Sequence, residues 1–371
     1  MRRPTYLARL LRIYDSPENA LSLRPHGERR ISLLEQHTRE AIRAAVLKNL
    51  PALGFAGGPE TVEVNVADLK RQNSTSSRVG GAITVQGTNL WAKKVEAPAR
   101  AFDAIRTLYG VLEAKGLHRQ VPKPLFFDPA LGLLFMERIR GRCLLPLVAA
   151  GCVWSSRRRF DGYRERLAAV GRWMGGWHSA APASAYTTLA AMLPALEDML
   201  GGADFTAEEQ ARLRAHLRAL AGSAIARAPW PLITPHNDIT LRNIFVDDER
   251  FHVIDWDAMV HPRFPPQAIV WWDLITLLMN IESLARLRPL ISRDKLSELC
   301  SSLWRGYVEA SPGSPIGLGE FRTSIMFVVV LSYYCGRAAD RPLSRIYRHN
   351  LGWRYSRAVR HRLLAGSGSL F

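Results

Sequence analysis

The chain has 371 residues, of which 47% are hydrophobic, and its 50 Lys and Arg against 33 Asp and Glu give a formal net charge of +17. This length excludes a single small core and predicts two lobes or domains plus an extension, and the apolar fraction supports a globular fold. The charge favours an acidic partner: nucleotide phosphates, an anionic glycan or lipid surface, or nucleic acid. A bias toward Arg and Ala without functional meaning is the competing explanation.

The cysteines and the apolar runs indicate the cellular compartment of the protein. The four cysteines form no C-x-x-C pair and have no His at metal spacing, so we expect reduced core residues; they are Cys143, Cys152, Cys300 and Cys335. The N-terminal apolar stretch is too short and too interrupted by Arg for a signal peptide. The longest apolar run, which includes residues 325–331, falls well below the roughly 20 residues of a membrane span. The sequence therefore predicts a cytoplasmic protein.

The N-terminal extension, residues 1–60, is predicted to contain a helix. Between residues 32 and 50, apolar side chains recur at near-helical spacing with Arg and Glu between them. Pro51 and Gly54 follow, where such a helix is expected to end. We interpret the extension as a helical cap on the next part of the fold, with a docking arm as the alternative.

Strands are predicted after Thr61, where the apolar pattern changes. Alternating or apolar runs predict three strands, at residues 62–66, 83–85 and 90–95. A polar loop, residues 70–78, separates the first two of them. Beyond Arg142 the chain is predicted to be mostly helical.

The stretch ITPHNDITLRNIFVDDERFHVIDWD carries side chains suited to phosphoryl transfer. Its apolar segments 243–247 and 251–256 predict a hairpin that brings Asn243 and Asp255 together. Phosphoryl transfer needs a group that accepts the proton of the nucleophile and oxygen ligands that hold Mg²⁺. We predict the first role for Asp238 and the second for Asn243 and Asp255. An Asx-type turn that caps a hairpin is the structural alternative.

These motifs resemble those of a known family. HNDITLRN matches the H-x-D-x-x-x-x-N catalytic loop, and VIDWD the metal-binding Asp segment, of the aminoglycoside phosphotransferase and choline kinase superfamily. The resemblance implies a protein-kinase-like, two-lobed α+β fold. Its nucleotide-binding N-lobe, a small antiparallel β-sheet, would span residues 61–137. The larger, mostly helical C-lobe would span residues 138–371 and hold the catalytic and acceptor-binding groups.

The resemblance also implies which residues meet the nucleotide. The third strand, LWAKKV, should supply the Lys that pairs with the phosphates. Residues two apart on a strand face the same way, so Trp91 shares a face with Lys93 and Ala92 with Lys94. The family often places an aromatic residue on the adenine two positions before its Lys, which favours Lys93. The A-x-K pattern of protein kinases favours Lys94; Lys93 is our choice.

Three further parts of a nucleotide site follow from the resemblance. The segment LGLLFMERIRG is similar to the family's hinge, so Met136 and Glu137 would border the adenine. The Ser-rich loop lies where the family covers the phosphates, and Ser76 is our candidate there; a plain exposed loop is the alternative. The helix expected over residues 98–115 should carry the acid that orients the Lys. The family usually has Glu there, whereas here the plausible position holds Asp103, with Glu96 and Glu113 near the ends of the helix.

The C-lobe adds two supporting residues and a basic tail. His178 is interpreted as a packing residue under the catalytic loop, and Asp273 as a residue that caps or braces it. Near the C-terminus, Arg residues between 341 and 362 are interleaved with Tyr347, Trp353 and Tyr355. One hypothesis is an amphipathic helix on anionic lipid, which would bring the protein to the inner membrane surface. A solvated helix is the alternative.

The leading hypothesis is an ATP-dependent kinase, with GTP as the alternative nucleotide and Mg²⁺ as the metal, that phosphorylates an alcohol hydroxyl. The positive charge favours an anionic or lipid-linked sugar, as in a cell-envelope glycan, over a cationic aminoglycoside or choline. A kinase of cationic substrates, a protein kinase and a non-catalytic nucleotide- or nucleic-acid-binding module are the alternatives. No A-P-E segment follows Asp255, which argues against a protein kinase. The positive net charge is the only sequence feature that favours binding to nucleic acid.

Overall fold

The computed structural model describes residues 33–55, 59–71, 79–95, 97–201, 205–247, 250–260, 266–284, 291–311 and 317–332. The chain forms two compact units. The first comprises Met1–Ala150 and Asp238–Pro266, and the second comprises Gly151–Asn237 and Gln267–Phe371. The domain boundaries predicted after residues 60 and 137 stay a prediction.

The secondary structure alternates between short strands and helices of widely different length. The strands are β1 (Val64–Arg71), β2 (Val79–Val85), β3 (Thr88–Lys94), β4 (Pro124–Asp128), β5 (Leu133–Glu137), β6 (Arg142–Cys143), β7 (Ala185–Thr187), β8 (Trp230–Ile233), β9 (Ile244–Val246), β10 (Phe251–Val253) and β11 (Ala268–Ile269). The α-helices are α1 (Leu33–Lys48), α2 (Pro98–Glu113), α3 (Leu144–Trp154), α4 (Arg157–Ala180), α5 (Leu189–Gly201), α6 (Ala207–Ala221), α7 (Ala224–Arg227), α8 (Trp272–Glu282), α9 (Arg293–Ala310) and α10 (Leu318–Phe321). A π-helical turn, Arg322–Met326, continues from α10.

Five antiparallel strands form the main sheet of the first unit, in the order β1-β2-β3-β5-β4. A two-residue turn joins β2 to β3. Its residues Gln86 and Gly87 have φ of 45° and 83°, the positive values that a type I′ hairpin turn requires. The three predicted strands are found, although β2 begins at Val79. The sequence pattern misses this first part of β2 because Gly80 and Gly81 lie there, and glycine is depleted in strands.

Helix α1 covers one face of this sheet. Its buried residues Ile42, Ala45 and Val46 recur at helical spacing and pack into the same core as buried strand residues, which include Val64, Ile83, Leu90 and Phe135. The short 3₁₀ helix Leu50–Leu53 follows and ends at Gly54, where φ is 80°. The predicted helix over residues 32–50 is therefore confirmed within the described residues, and it packs as a cap on the sheet.

Helix α2 packs against the main sheet and against the segment that follows the hairpin β9–β10. It packs against β4 and β5, and against the 3₁₀ helix Trp256–Val260 that follows Asp255. Its buried residues lie at helical spacing and are Ala101, Ile105, Leu108 and Leu112. A second sheet of the first unit, in the order β10-β9-β6, contains the hairpin β9–β10.

The second unit is mostly helical. Helices α4 and α9 pack with their backbones in direct contact: a Cβ added to Gly306 would lie 2.0 Å from the carbonyl oxygen of Ala168, and one added to Gly171 would lie 2.2 Å from that of Leu303. Only glycine allows this approach. A small sheet in the order β11-β8-β7 belongs to the same unit. Within the described ranges, no helix is both long enough and apolar enough to cross a membrane.

Candidate active site

Strands β9 and β10 form the hairpin that was predicted between Asn243 and Asp255. Val253 pairs with Ile244, and the N–H of Ile254 donates to the carbonyl oxygen of Asn243 at 2.9 Å. Asp255, which follows β10, therefore lies beside Asn243, which precedes β9. The hairpin brings the two residues together, as its sequence predicts.

The side chain of Asn243 is oriented by Asp238. Its Nδ2 donates to the carbonyl oxygen of Asp238 at 2.8 Å and to Oδ2 of the same residue at 3.0 Å. Because the amide nitrogen is turned toward Asp238, the amide oxygen is directed to the other side and can serve as a ligand for a hard cation. The same bond fixes one carboxylate oxygen of Asp238. A carboxylate held in this way is suited to accept a proton from a hydroxyl group.

The backbone of Asp255 adopts a left-handed conformation, with φ of 68°. For a non-glycine residue this region costs on the order of 1–3 kcal/mol, and such strain is concentrated at functional sites. The side chain of Asp255 is 34% exposed, so a ligand can reach it. The strained backbone and the exposure of the side chain are both consistent with Asp255 as a candidate site residue.

Lys93 lies between two carboxylates. Its Nζ donates to Oδ1 of Asp255 at 2.9 Å and to Oδ1 of Asp257 at 2.5 Å, and its side chain is 9% exposed. Burial acts to lower the pKa of Lys93, but the charges and hydrogen bonds of the two aspartates outweigh it and raise the pKa to about 12. Lys93 is thus a firmly charged ammonium group. Lys94, the alternative lysine, is exposed.

The oxygen atoms of Asn243 and Asp255 fit Mg²⁺. Mg²⁺ is usually held by one or two carboxylates, and waters and substrate phosphates complete its octahedron. Asp255 supplies a carboxylate and Asn243 an amide oxygen. In the part of the chain that the structure describes, no group of three or more His, Cys, Asp or Glu side chains is arranged to hold a metal.

The start of the catalytic loop is braced within the second unit. The buried carboxylate of Asp273 accepts from the N–H of His236 at 2.8 Å through Oδ2 and from the N–H of Asn237 at 3.0 Å through Oδ1. Nε2 of His178 lies 3.8 Å from Asp273 Oδ2, and its Nδ1 lies 3.0 Å from the hydroxyl of Tyr307. These contacts agree with the interpretation of Asp273 as a brace and of His178 as a packing residue. Burial raises the pKa of Tyr307.

The predicted adenine-side residues lie on two neighbouring strands. Trp91 on β3 pairs with Met136 on β5, and Trp91 is partly exposed. The N–H of Glu137 donates to the carbonyl oxygen of Lys123 at 2.9 Å, and that of Arg138 donates to the carbonyl oxygen of Asn89 at 3.1 Å. Those two backbone donors are therefore engaged within the fold.

Sequence reasoning left the partner of Lys93 open and gave Asp257 no role. Asp103, at the plausible position on α2, instead pairs with Arg106 at 3.1 Å, and both side chains are more than half exposed. Asp257 could have been found from its place two residues after Asp255 in VIDWD, although the sequence does not show that a 3₁₀ helix follows. Ser76 lies outside the described residues, and its predicted role stays a prediction.

Comparisons with known proteins identify the fold. No protein-family sequence model matches the chain, and no curated protein matches it by sequence. A solved glucosamine kinase in complex with glucosamine, ADP and inorganic phosphate is similar over 91% of this chain and 84% of its own, with a TM-score of 0.51 and 15% identity. A choline kinase from Cryptosporidium parvum is similar over 88% of this chain and 97% of its own, with a TM-score of 0.50 and 12% identity.

The fold is similar to that of these two kinases, with an antiparallel β-sheet unit and a mostly helical unit. The resemblance drawn from the catalytic loop and the predicted protein-kinase-like α+β fold are both confirmed. At these identities the comparisons establish the fold alone, and the roles of individual side chains stay predictions.

Proposed function

We propose that the protein is a kinase that transfers the γ-phosphoryl group of ATP to an alcohol hydroxyl of a small molecule or glycan. The supporting observation is a set of neighbouring side chains on a kinase-like fold. Lys93 contacts Asp255, the hairpin places Asp255 beside Asn243, and Asn243 bonds Asp238. These are an ammonium group, two carboxylates and an amide, which are the groups that phosphoryl transfer requires.

Each side chain has a distinct proposed role. Asp238 orients the acceptor hydroxyl and takes up its proton. Asn243 and Asp255 hold Mg²⁺, which neutralises charge on the phosphates when bound. Lys93 donates to the nucleotide phosphates, and its raised pKa keeps it charged for that purpose.

The nucleotide base is proposed to lie against Trp91 and Met136, near Glu137. Because the N–H groups of Glu137 and Arg138 already donate within the fold, a donor for the adenine edge must come from the backbone farther along, at Ile139 or beyond. ATP is the proposed nucleotide and GTP the competing one.

The acceptor is proposed to be a sugar hydroxyl, anionic or lipid-linked, such as one in a cell-envelope glycan. The net charge of +17 supports this class, and both similar structures are kinases named for small molecules, glucosamine and choline. A cationic amine such as choline or an aminoglycoside is the competing acceptor. The enzyme is proposed to be cytoplasmic. Contact of the basic residues 341–362 with anionic lipid stays a prediction, because they lie outside the described residues.

Thermal unfolding with ATP or GTP, with and without Mg²⁺, tests the nucleotide site. A ligand at a hundred times its dissociation constant stabilises the folded state by about 2.7 kcal/mol, which at roughly 2–4 °C per kcal/mol moves the midpoint by several degrees. We expect a Mg²⁺-dependent shift for the wild type that is lost in Asp255→Ala and kept in the control Asp103→Ala, whose side chain is on the surface. No shift with either nucleotide would contradict the proposal.

A screen of acceptors tests the transfer step. Purified protein is incubated with the preferred nucleotide, Mg²⁺ and panels of neutral, anionic and lipid-linked sugars, choline and aminoglycosides, and phosphorylated products are detected by mass spectrometry. Asp238→Asn, which keeps the shape of the side chain but cannot take up the proton, should bind nucleotide and form no product. Turnover of a cationic amine and of no sugar would overturn the proposed acceptor class while leaving the kinase activity in place.

A further inference from the structure

Lys93 has a second carboxylate partner that the proposed function does not use. Its Nζ donates to Oδ1 of Asp257 as well as to Oδ1 of Asp255. The side chain of Asp257 is 16% exposed, against 34% for Asp255. The contact with Asp257 is therefore the better shielded from water, and shielding strengthens an ion pair.

Asp257 is held in place by its local structure. It belongs to the 3₁₀ helix Trp256–Val260, which packs against α2. Trp256 is buried, and its Nε1 donates to the carbonyl oxygen of Val253 at 2.7 Å. The N–H of Ala258 donates to the carbonyl oxygen of Asp255 at 3.3 Å. The residues on both sides of Asp257 are thus hydrogen-bonded to the end of the hairpin and the residue Asp255 that follows it.

Helix α2 supplies no carboxylate for the Lys. Asp103 is 63% exposed and pairs with Arg106. The side of α2 that is buried in the first unit carries apolar residues only, in the described residues of that helix. A buried ammonium group needs a compensating charge, and the segment after β10 supplies it.

We propose that Asp257 is the positioning residue that aims Lys93 at the nucleotide phosphates, in place of a carboxylate from α2. This inference rests on the proposed function. Asp255 is the proposed Mg²⁺ ligand, so its carboxylate is needed by the metal once the nucleotide is bound. Asp257 then remains as the acid that fixes the ammonium group of Lys93 and balances its charge.

A double-mutant cycle on the full-length protein tests the inference. The dissociation constant of Mg²⁺-ATP is measured by calorimetry for the wild type, Lys93→Ala, Asp257→Asn and the double variant. Lys93→Ala should weaken binding by roughly tenfold or more in the wild type, the size expected for a lost hydrogen bond to a charged group, and by much less when Asp257 is Asn. A second cycle, with Asp103→Asn in place of Asp257→Asn, is the matched control. In that cycle the effects of the two single substitutions on the dissociation constant should be additive.

Two further measurements separate positioning from other roles. The Mg²⁺ concentration for half-maximal ATP binding should be unchanged in Asp257→Asn but raised in Asp255→Asn, and Asp257→Glu should restore part of the coupling. Additive effects of Lys93→Ala and Asp257→Asn would overturn the inference, and so would a raised Mg²⁺ requirement in Asp257→Asn, because that result makes Asp257 a metal ligand. If the wild type itself binds no Mg²⁺-ATP, the proposed function fails and the inference fails with it, and this outcome is visible before any variant is made.

Discussion

Asp273→Asn is the substitution that most directly tests how the catalytic loop is held. The carboxylate of Asp273 is 1% exposed and accepts from two consecutive backbone N–H groups, those of His236 and Asn237. Asn has nearly the same shape but only one oxygen, so one N–H would lose its acceptor and face an NH₂ group instead. A hydrogen bond to a charged group contributes about 1.5–3 kcal/mol, and an unsatisfied buried donor costs a similar amount.

We therefore expect a loss of roughly 2–3 kcal/mol and a fall in the unfolding midpoint of roughly 4–12 °C. Hydrogen exchange gives the local readout, since the amides of His236 and Asn237 should exchange much faster while the amides of the β-sheet in the first unit keep their protection. Asp103→Asn is the control and should change neither quantity. Unchanged protection of both loop amides in Asp273→Asn would refute the idea that Asp273 holds the loop.

Two further predictions concern the helix crossing and the buried lysine. Gly306→Ala should destabilise by about 1–3 kcal/mol or more, because its Cβ would lie 2.0 Å from a backbone oxygen of Ala168. Gly162→Ala, in the same helix as Ala168 but in open space, should stabilise the protein by about 0.5–1 kcal/mol through helix propensity. Thermal unfolding measures the stability of both variants, and equal changes in the two would contradict the packing argument. The pKa of Lys93 is raised from 10.5 to about 12, so its stabilisation is complete below about pH 10.5 and is lost as the pH rises through about 12. The difference corresponds to about 2 kcal/mol, and the stability of the wild type relative to Lys93→Met, followed by denaturant unfolding from pH 10 to 12, should shrink by most of that amount, about 1.5 kcal/mol. A constant difference would show that the charge of Lys93 is not stabilised.

Much of the site was predictable because its signals are local. The alternation of apolar residues on either side of a short turn is sufficient to predict the hairpin β9–β10, and a hairpin brings its two ends together whatever surrounds it. The relation between Asn243 and Asp255 follows from this. The face shared by Trp91 and Lys93 likewise follows from the two-residue period of a strand.

The partners of Lys93 and the contact between α4 and α9 depended on the tertiary structure. Lys93 and Asp257 lie 164 positions apart in the chain, and no periodicity links residues so distant. The sequence suggests a helix acid at Asp103, but the rotation of α2 that buries its apolar side leaves Asp103 in solvent. The roles of Gly171 and Gly306 are hidden for the same reason. Glycine in a helix looks unfavourable by propensity until a second backbone is seen to occupy the space that a Cβ would need.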